Sequence, residues 1–478
     1  MSTALQWPMW MAGASVTAAA VIPVHDPEDG SVVGTVPSAS REQAVAAVVA
    51  AARGTRVAAA LATHQRLAIL ARAAELVAER AEEFATLIAR EGSKTIREAR
   101  HEARRCAETL RISAEETRRA AGETILFDQA VGSEDRVGYW QRGPVGLITA
   151  ITPFNDPLNL VAHKVGPAIA AGNAVIVKPS DETPLSALKL AGVLLEAGLP
   201  PESLSVVTGR AETVGEPLVS HPAVRMISFT GGLRSGTAIA HQAGLKKMAM
   251  ELGSNSPVII LADADRERAV EATVSGAFWA AGQNCLGVQR VFIEEAVYDD
   301  VAERMVARAR TIRLGRKLDE TTDMGPLINE REARRVDDWV KASVRQGARL
   351  LTGGKRDGAY FTPTVLDKVP AGAIVLEEEI FGPVVSLIPV KSLSEAIGQA
   401  NSVNYGLQAG VFTRDLPNAF RAIRELEVGG VMINDSSDYR IDAMPFGGVK
   451  GSGLGREGVK FAMQEMTEIK VVCFNPQG

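Results

Sequence analysis

The chain has 478 residues, 46% hydrophobic and 23% charged, an ordinary balance for a globular protein of two to four domains at roughly 150 residues each. Its 52 Lys and Arg against 57 Asp and Glu leave a net charge of −5, and 5% of residues are aromatic. Neither value favours a nucleic-acid surface, which takes a basic excess and stacking rings. Three cysteines, Cys106, Cys285 and Cys473, are too few and too scattered for a disulfide framework or a four-thiolate zinc site, and no metal is called for.

In chain order, residues 1–24 carry no charge and the first Lys or Arg is Arg41. A secretory signal needs a basic leading region, and Gln6, Pro8, Gly13, Ser15 and Pro23 break the apolar run. Neither an export signal nor a membrane span is expected, and the expected location is cytoplasmic. Residues 41–121 read as helical: Ser40-Arg-Glu-Gln43 is a capping box, and Leu67, Leu70, Ala71, Ala74 and Val77 recur at helical spacing. In the Arg-rich run 97–119, the interleaved Glu98, Glu102, Glu108, Glu115 and Glu116 predict a solvated helix face rather than a nucleic-acid helix.

From residue 145 short apolar runs alternate with helix-length segments. Strands are predicted at Val145–Ile151, Ala174–Val177, Leu204–Val207, Met226–Phe229 and Met248–Leu252. A second series follows at Pro257–Leu261, Arg290–Glu294, Val384–Pro389, Gln408–Phe412 and Gly430–Asn434. This is the rhythm of parallel sheets with crossover helices, so two α/β units are expected, switching near 250. Gly453-Leu-Gly455-Arg-Glu-Gly458 spells a dinucleotide fingerprint, but no clear strand precedes it and too little chain follows for a βαβ unit. Gly231-Gly232-Leu-Arg-Ser-Gly236 resembles half a P-loop with Thr237 in place of its lysine. It sets glycines between a strand and a helix start, where bare N–H groups favour a phosphate.

Three polar residues sit where chemistry is done. Cys285, in Gly282-Gln-Asn-Cys285, is a buried core thiol or a nucleophile. Glu251 ends an apolar strand before a glycine, as a solvated strand end or a general base. Asn155, in Thr152-Pro153-Phe154-Asn155-Asp-Pro, is a turn residue on its own evidence.

Together these strings resemble the aldehyde dehydrogenase superfamily from about residue 20 onward. Thr152-Pro-Phe-Asn155, Val-Lys178-Pro-Ser180, Phe-Thr-Gly231-Gly232, Glu251-Leu252-Gly-Ser, Gly-Gln-Asn284-Cys285, Glu379-Ile-Phe381-Gly-Pro and Pro-Phe446-Gly-Gly occur in the family's order. The resemblance implies an α/β fold of two parallel-sheet domains with a small β bridging element. The cofactor domain would be 1–122 and 143–250, the catalytic domain 251–460, and the oligomerisation element 123–142 with 461–478. The implied catalytic set is Cys285, Glu251, Asn155, Lys178 and Glu457, with Cys285 forming a thiohemiacetal and then a thioester that Glu251 helps water to release. Thr152, Pro153, Phe154, Lys178, Ser180, Asp181, Gly231, Gly232, Gly236, Leu252, Glu379 and Phe381 would hold the cofactor, NAD in preference to NADP because Asp181 would repel a 2′-phosphate.

The substrate tunnel implied by the resemblance is lined by Arg105, Asn159, His163, Asn284, Arg440 and Phe446. Asn155-Asp-Pro-Leu-Asn159-Leu-Val-Ala-His163 and Arg440-Ile-Asp-Ala-Met-Pro-Phe446 are similar to the branch acting on lactaldehyde, sulfolactaldehyde and phosphonoacetaldehyde. Two arginines predict a locally basic tunnel and a short, polar, anionic aldehyde, unless they pair with acids such as Glu102 and Asp442. The expected partners are that small molecule and a second copy of the chain. The alternatives are a CoA-acylating dehydrogenase, whose members usually lack a base at the position of Glu251, and a cofactor-free cysteine hydrolase using His101, His163 or His241.

Overall fold

A computed structural model describes residues 5–476. The first four residues of the expected cofactor unit and the last two of the expected oligomerisation element lie outside them. Four helices, Arg41–Ala60, Thr63–Glu79, Ala81–Glu91 and Ile96–Glu116, fill the region read as helical. At Ser40 the capping box is present: Oγ accepts from Gln43 N at 3.2 Å while Ser40 N donates to Gln43 Oε1 at 3.0 Å. No single helix among the described residues is long and apolar enough to cross a membrane.

The helix Ile96–Glu116 corrects one expectation. Glu108, Glu115 and Glu116 do pair with Arg111 and Arg119 on its outer face. Glu98 and Glu102 instead point inward and are buried. One helical turn apart, they share the face that carries Ala99, Ala103 and Cys106, also buried.

All ten predicted strands are present, in two sheets. In the first, Leu204–Val206, Ala174–Lys178, Leu147–Ile151, Val224–Thr230 and Lys247–Glu251 lie side by side and parallel. In the second, Thr364–Asp367, Val384–Val390, Val288–Glu294, Ser256–Ile260, Gln408–Phe412 and Gly430–Ile433 are parallel neighbours. Ala174–Lys178 and Ser256–Ile260 are buried at every position, as expected of strands covered on both faces. Short antiparallel pieces close the edges: Met9–Met11 with Ala14–Val16 and Gly453–Leu454 on the first sheet, and Arg349–Thr352 on the second. Gly453–Leu454 pairs with Met250 and Glu251, so the apparent dinucleotide fingerprint is an edge strand beside Glu251.

Glu123–Ile125, Val137–Pro144 and Thr467–Phe474 form a third, antiparallel sheet, with Val137 opposite Phe474 and Pro144 opposite Thr467. It leaves Val137, Ile469, Val471 and Phe474 exposed. The chain passes from the first sheet to the second through residues 252–255, immediately beyond Glu251. The carboxyl ends of the first sheet's parallel strands therefore face the second sheet, the place where α/β folds put ligands.

Candidate active site

Cys285 lies in the loop between the 3-10 turn Trp279–Gly282 and the strand Val288–Glu294. Ala280, Ala281 and Gly282 have φ of 50°, 56° and 70°, a left-handed run that costs free energy for the two alanines. Several contacts hold it. Ala280 N donates to the buried Glu98 Oε1 at 2.8 Å. Gln283 Nε2 donates to Ser93 Oγ at 3.0 Å, and its Oε1 accepts from Ile328 N at 2.9 Å. A Cβ on Gly282 would come within 2.2 Å of the Gly382 carbonyl, so only glycine lets the two loops approach. Glu98 and Gln283 thus position the thiol; Gln283 lies in the Gly-Gln-Asn-Cys285 string, whereas nothing in the sequence marks Glu98.

Two cavities meet at Cys285. One, of about 480 Å³, is lined by Arg105, Asn284 and Arg440, and by Lys94, Asp435 and Asp438 among others. The other, of about 250 Å³, is lined by Pro153, Phe154, Gly231, Gly232, Leu252, Glu379 and Phe381. Cys285 and Asn155 line both. The Asn155 side chain makes no hydrogen bond among the described residues, leaving its amide free for a ligand oxygen. The thiol packs against Leu286, Leu407 and Phe446, and its one hydrogen-bond contact among the described residues is Asn284 Oδ1, at 3.9 Å. Burial pushes its pKa up to about 12, with Arg440 acting in the opposite direction. No histidine hydrogen-bonds it among the described residues, which removes the geometric basis for the cysteine-hydrolase alternative.

Glu251 is buried, and neither carboxylate oxygen has a hydrogen-bond partner. Burial first, then the charge of Glu457, raises its pKa well above the usual range. Glu457 is also buried, but it accepts from Lys164 Nζ at 2.9 Å and faces Arg440 at 3.4 Å. Desolvation opposes its charge; the cations beside it, Lys164 foremost, outweigh that and hold it at about 2. The two carboxyls therefore divide the roles, Glu457 fixed as an anion and Glu251 able to exchange a proton.

On the side of the smaller cavity, Ser254 N donates to Glu379 Oε1 at 2.9 Å. Burial raises this carboxyl to about 7. A Cβ on Gly253 would lie 2.3 Å from Glu379 Oε2, so the glycine makes room for the carboxylate. Phe381 packs edge-on to Phe154 with centroids 5.7 Å apart. Gly231 and Gly232 precede the helix Leu233–Ala243, and Gly236 lies buried in it against Leu252. Lys178 ends its strand and pairs with Asp181 at 2.7 Å, and Ser180 Oγ accepts from Glu182 N at 3.3 Å. Thr152 is buried with its hydroxyl unpartnered. Lys178, Ser180, Asp181, Thr152 and Gly236 do not line the smaller cavity. The glycine cradle and the Glu379 carboxylate fit a dinucleotide.

The predicted tunnel residues divide into two layers. Arg105, Asn284 and Arg440 line the larger cavity, whereas Asn159, His163 and Phe446 lie behind its wall. Asp442 gathers that second layer: it accepts from Arg105 Nη2 at 2.8 Å and from Asn159 Nδ2 at 3.3 Å, and meets His163 Nε2 at 2.9 Å. Phe446 lies under the Arg440 guanidinium, 3.7 Å from ring centroid to carbon. The basic tunnel expected from two arginines is not found, because both have buried carboxylates as partners.

The aldehyde dehydrogenase family model matches residues 10–472. The chain belongs to the aldehyde dehydrogenase family. An aspartate-semialdehyde dehydrogenase of Pseudomonas canavaninivorans is 50% identical over 96% of the chain and 97% of the relative. A 3-sulfolactaldehyde dehydrogenase of Priestia megaterium is 46% identical over 86% of each, within the branch that the tunnel strings resemble. The glyceraldehyde-3-phosphate dehydrogenase GapN of Methanocaldococcus jannaschii, solved with NADP, superposes with a TM-score of 0.91 at 41% identity, covering 95% of this chain and 98% of that one. As an aldehyde dehydrogenase, the protein is an oxidoreductase acting on a small aldehyde with NAD or NADP.

Proposed function

We propose that the protein oxidises a short, polar, anionic aldehyde to its carboxylic acid through a thioester on Cys285. The observation that carries this reading is the place of Cys285 at the junction of a charged cavity and a glycine-walled one. Cys285 passes its proton to water in the cavity as sulfur attacks the aldehyde carbon, forming a thiohemiacetal. Asn155 Nδ2 and the Cys285 N–H donate to the oxyanion, where one such donor is worth ~3–4 kcal/mol. When bound, NAD(P) supplies the acceptor for the two electrons and the hydrogen of the former aldehyde C–H. Glu379, Phe381 and the glycines at 231 and 232 hold it there, with Lys178 and Asp181 at the adenosine end. Asp181 favours NAD, since a carboxylate accepts from a ribose 2′-OH and repels a 2′-phosphate; NADP is the second candidate. The thioester is hydrolysed by a water that loses its proton to Glu251; the C–S bond breaks, and Glu251 returns that proton to the departing sulfur, restoring the thiol.

Arg440 and Arg105 line the cavity and donate to the substrate anion from Nη1, the group that no carboxylate holds in either. The aldehydes named for the three relatives above carry a carboxylate, a sulfonate or a phosphate, which supports the same class, while other relatives are named for lactaldehyde, which is polar and uncharged. The exposed apolar side chains of the third sheet support self-association through that element, and we place the reaction in the cytoplasm.

The test is NAD(P)H production across carboxylate-bearing and apolar aldehydes without CoA. Cys285→Ala abolishes it. Glu251→Gln gives one burst of NAD(P)H per site and then stalls, because acylation outruns hydrolysis. A CoA requirement for turnover, or a preference for long apolar aldehydes, refutes the reading.

A further inference from the structure

The paired charges around the larger cavity balance in number. Lys94 pairs with Glu102 at 2.9 Å and with Asp156. Arg105 pairs with Asp442, Lys164 with Glu457, and Arg440 with Glu457. Four cations thus meet four carboxylates. His101, held below its usual range by burial and by Arg105, adds no charge at neutral pH.

Two carboxylates stand outside this balance. Asp435 and Asp438, on the loop after the strand Gly430–Ile433, line the same cavity as Cys285. Neither forms an ion pair among the described residues; Asp435 accepts from Ser436 N at 2.9 Å, and Asp438 from the Ser436 hydroxyl. Gly276 leaves the room that Asp438 occupies, since a Cβ there would lie 2.8 Å from Oδ1. Burial and the neighbouring Asp435 raise the pKa of Asp438, the mark of an anion short of a counter-charge.

An opposite vacancy faces the same space. The Arg440 side chain is 8% exposed and lines the cavity, and its contacts with His163 and Glu457 both use Nη2, which leaves Nη1 without an acceptor among the described residues. The cavity therefore offers an unused guanidinium donor and two uncompensated carboxylates, and its complement carries both signs.

We propose that Asp438, assisted by Asp435, is an ammonium subsite, and that the substrate is a short zwitterionic aldehyde: an α-amino acid with its aldehyde at the far end. This deepens the anionic-aldehyde reading and rests on it for the roles of Cys285 and Arg440. The carboxylate goes to Arg440, the ammonium to Asp438, and the aldehyde carbon to the thiol. A merely anionic aldehyde leaves both aspartates facing each other's charge; the ammonium relieves it.

The test compares kcat/KM for L-aspartate 4-semialdehyde and succinate semialdehyde, which differ only in the ammonium, with propanal as the uncharged reference. The parent is expected to favour the amino aldehyde over succinate semialdehyde by at least about tenfold. Asp438→Asn lowers that ratio by about tenfold and Asp435→Asn by less. Succinate semialdehyde turnover by the same preparations reports that the site is folded. Calorimetric binding of L-aspartate and succinate to Cys285→Ala gives a second readout, with L-aspartate tighter. A parent ratio near one, equal binding of the two products, or a ratio that neither aspartate variant moves overturns the ammonium subsite. Succinate semialdehyde used no better than propanal overturns the anionic reading instead, which separates the two failures.

Discussion

Glu457→Gln keeps the shape of a side chain that is 4% exposed and removes the charge against which Lys164, at 2.9 Å, and Arg440, at 3.4 Å, are held. In the folded protein this carboxyl sits at about 2 against an ordinary 4.5, burial opposing the charge and the surrounding cations outweighing burial. At ~1.4 kcal/mol per pKa unit the difference is on the order of 3 kcal/mol. A depressed folded-state value means this stability is complete above the unfolded pKa and is lost as pH falls toward the folded one. A second route gives the same size: removing the charge of one partner of a buried ion pair costs ~3–5 kcal/mol, and Lys164 keeps only neutral acceptors, the new amide oxygen and the Ser228 hydroxyl at 3.3 Å.

The same substitution acts on the base. After burial, Glu457 is the largest cause of the raised Glu251 pKa, so its neutralisation lets Glu251 ionise at lower pH. Thioester hydrolysis needs Glu251 ionised, and its rate rises with pH through that pKa. The expected result is a destabilised enzyme whose pH–kcat rise is shifted downward. The assay pairs denaturant unfolding at neutral and acid pH with kcat between about pH 5 and 9, on a substrate for which hydrolysis limits turnover. The stability gap between parent and variant narrows in acid, where the parent's Glu457 also becomes neutral. A kinetic rise that stays in place or moves upward refutes the coupling. Equal stability at neutral pH refutes the charge on Glu457.

Two further outcomes follow from the same geometry. Glu379, raised to about 7 by burial, accepts from a ribose hydroxyl as an anion above that value. KM for the dinucleotide is expected to rise as pH falls through 7, and Glu379→Gln to flatten the dependence at a uniformly higher KM; a KM independent of pH in the parent contradicts this. Glu98→Ala removes the acceptor for Ala280 N and leaves that buried donor unpaired at a cost of ~1–3 kcal/mol. The left-handed run before Cys285 then loosens, so kcat falls while the rate of thiol alkylation rises; Glu98→Gln, which keeps an acceptor, restores part of both.

The strands were legible because parallel strands covered on both faces are continuous apolar runs between turns, as Ala174–Lys178 is up to its terminal lysine. Gly453–Leu454 is two residues long and the Met9–Met11 hairpin arm three, too short for any periodicity to register. Cys285, Glu251 and Asn155 stood out in the sequence only as members of an ordered set of short strings. Alone, each has an ordinary structural use. Glu98 and Glu102 were misplaced because charge pattern along a helix says which residues are polar and not which face turns inward; Glu102 accepts from Leu158 N and Asn159 N in the interior.

Charge compensation was the least legible property of the site. Arg105 and its counter-ion Asp442 are 337 positions apart, and Lys164 and Glu457 are 293 apart. No local window joins them. Read as a string, two arginines imply a basic tunnel; once each is matched to its carboxylate, the unmatched charges are Asp435 and Asp438, and the sign reverses. Selectivity in such a site is set by the groups left over after pairing, because a paired cation offers a ligand directed N–H groups but little net field. Arg440 can therefore orient a carboxylate without drawing anions in. The aspartates supply the uncompensated charge that separates an amino aldehyde from its deaminated analogue.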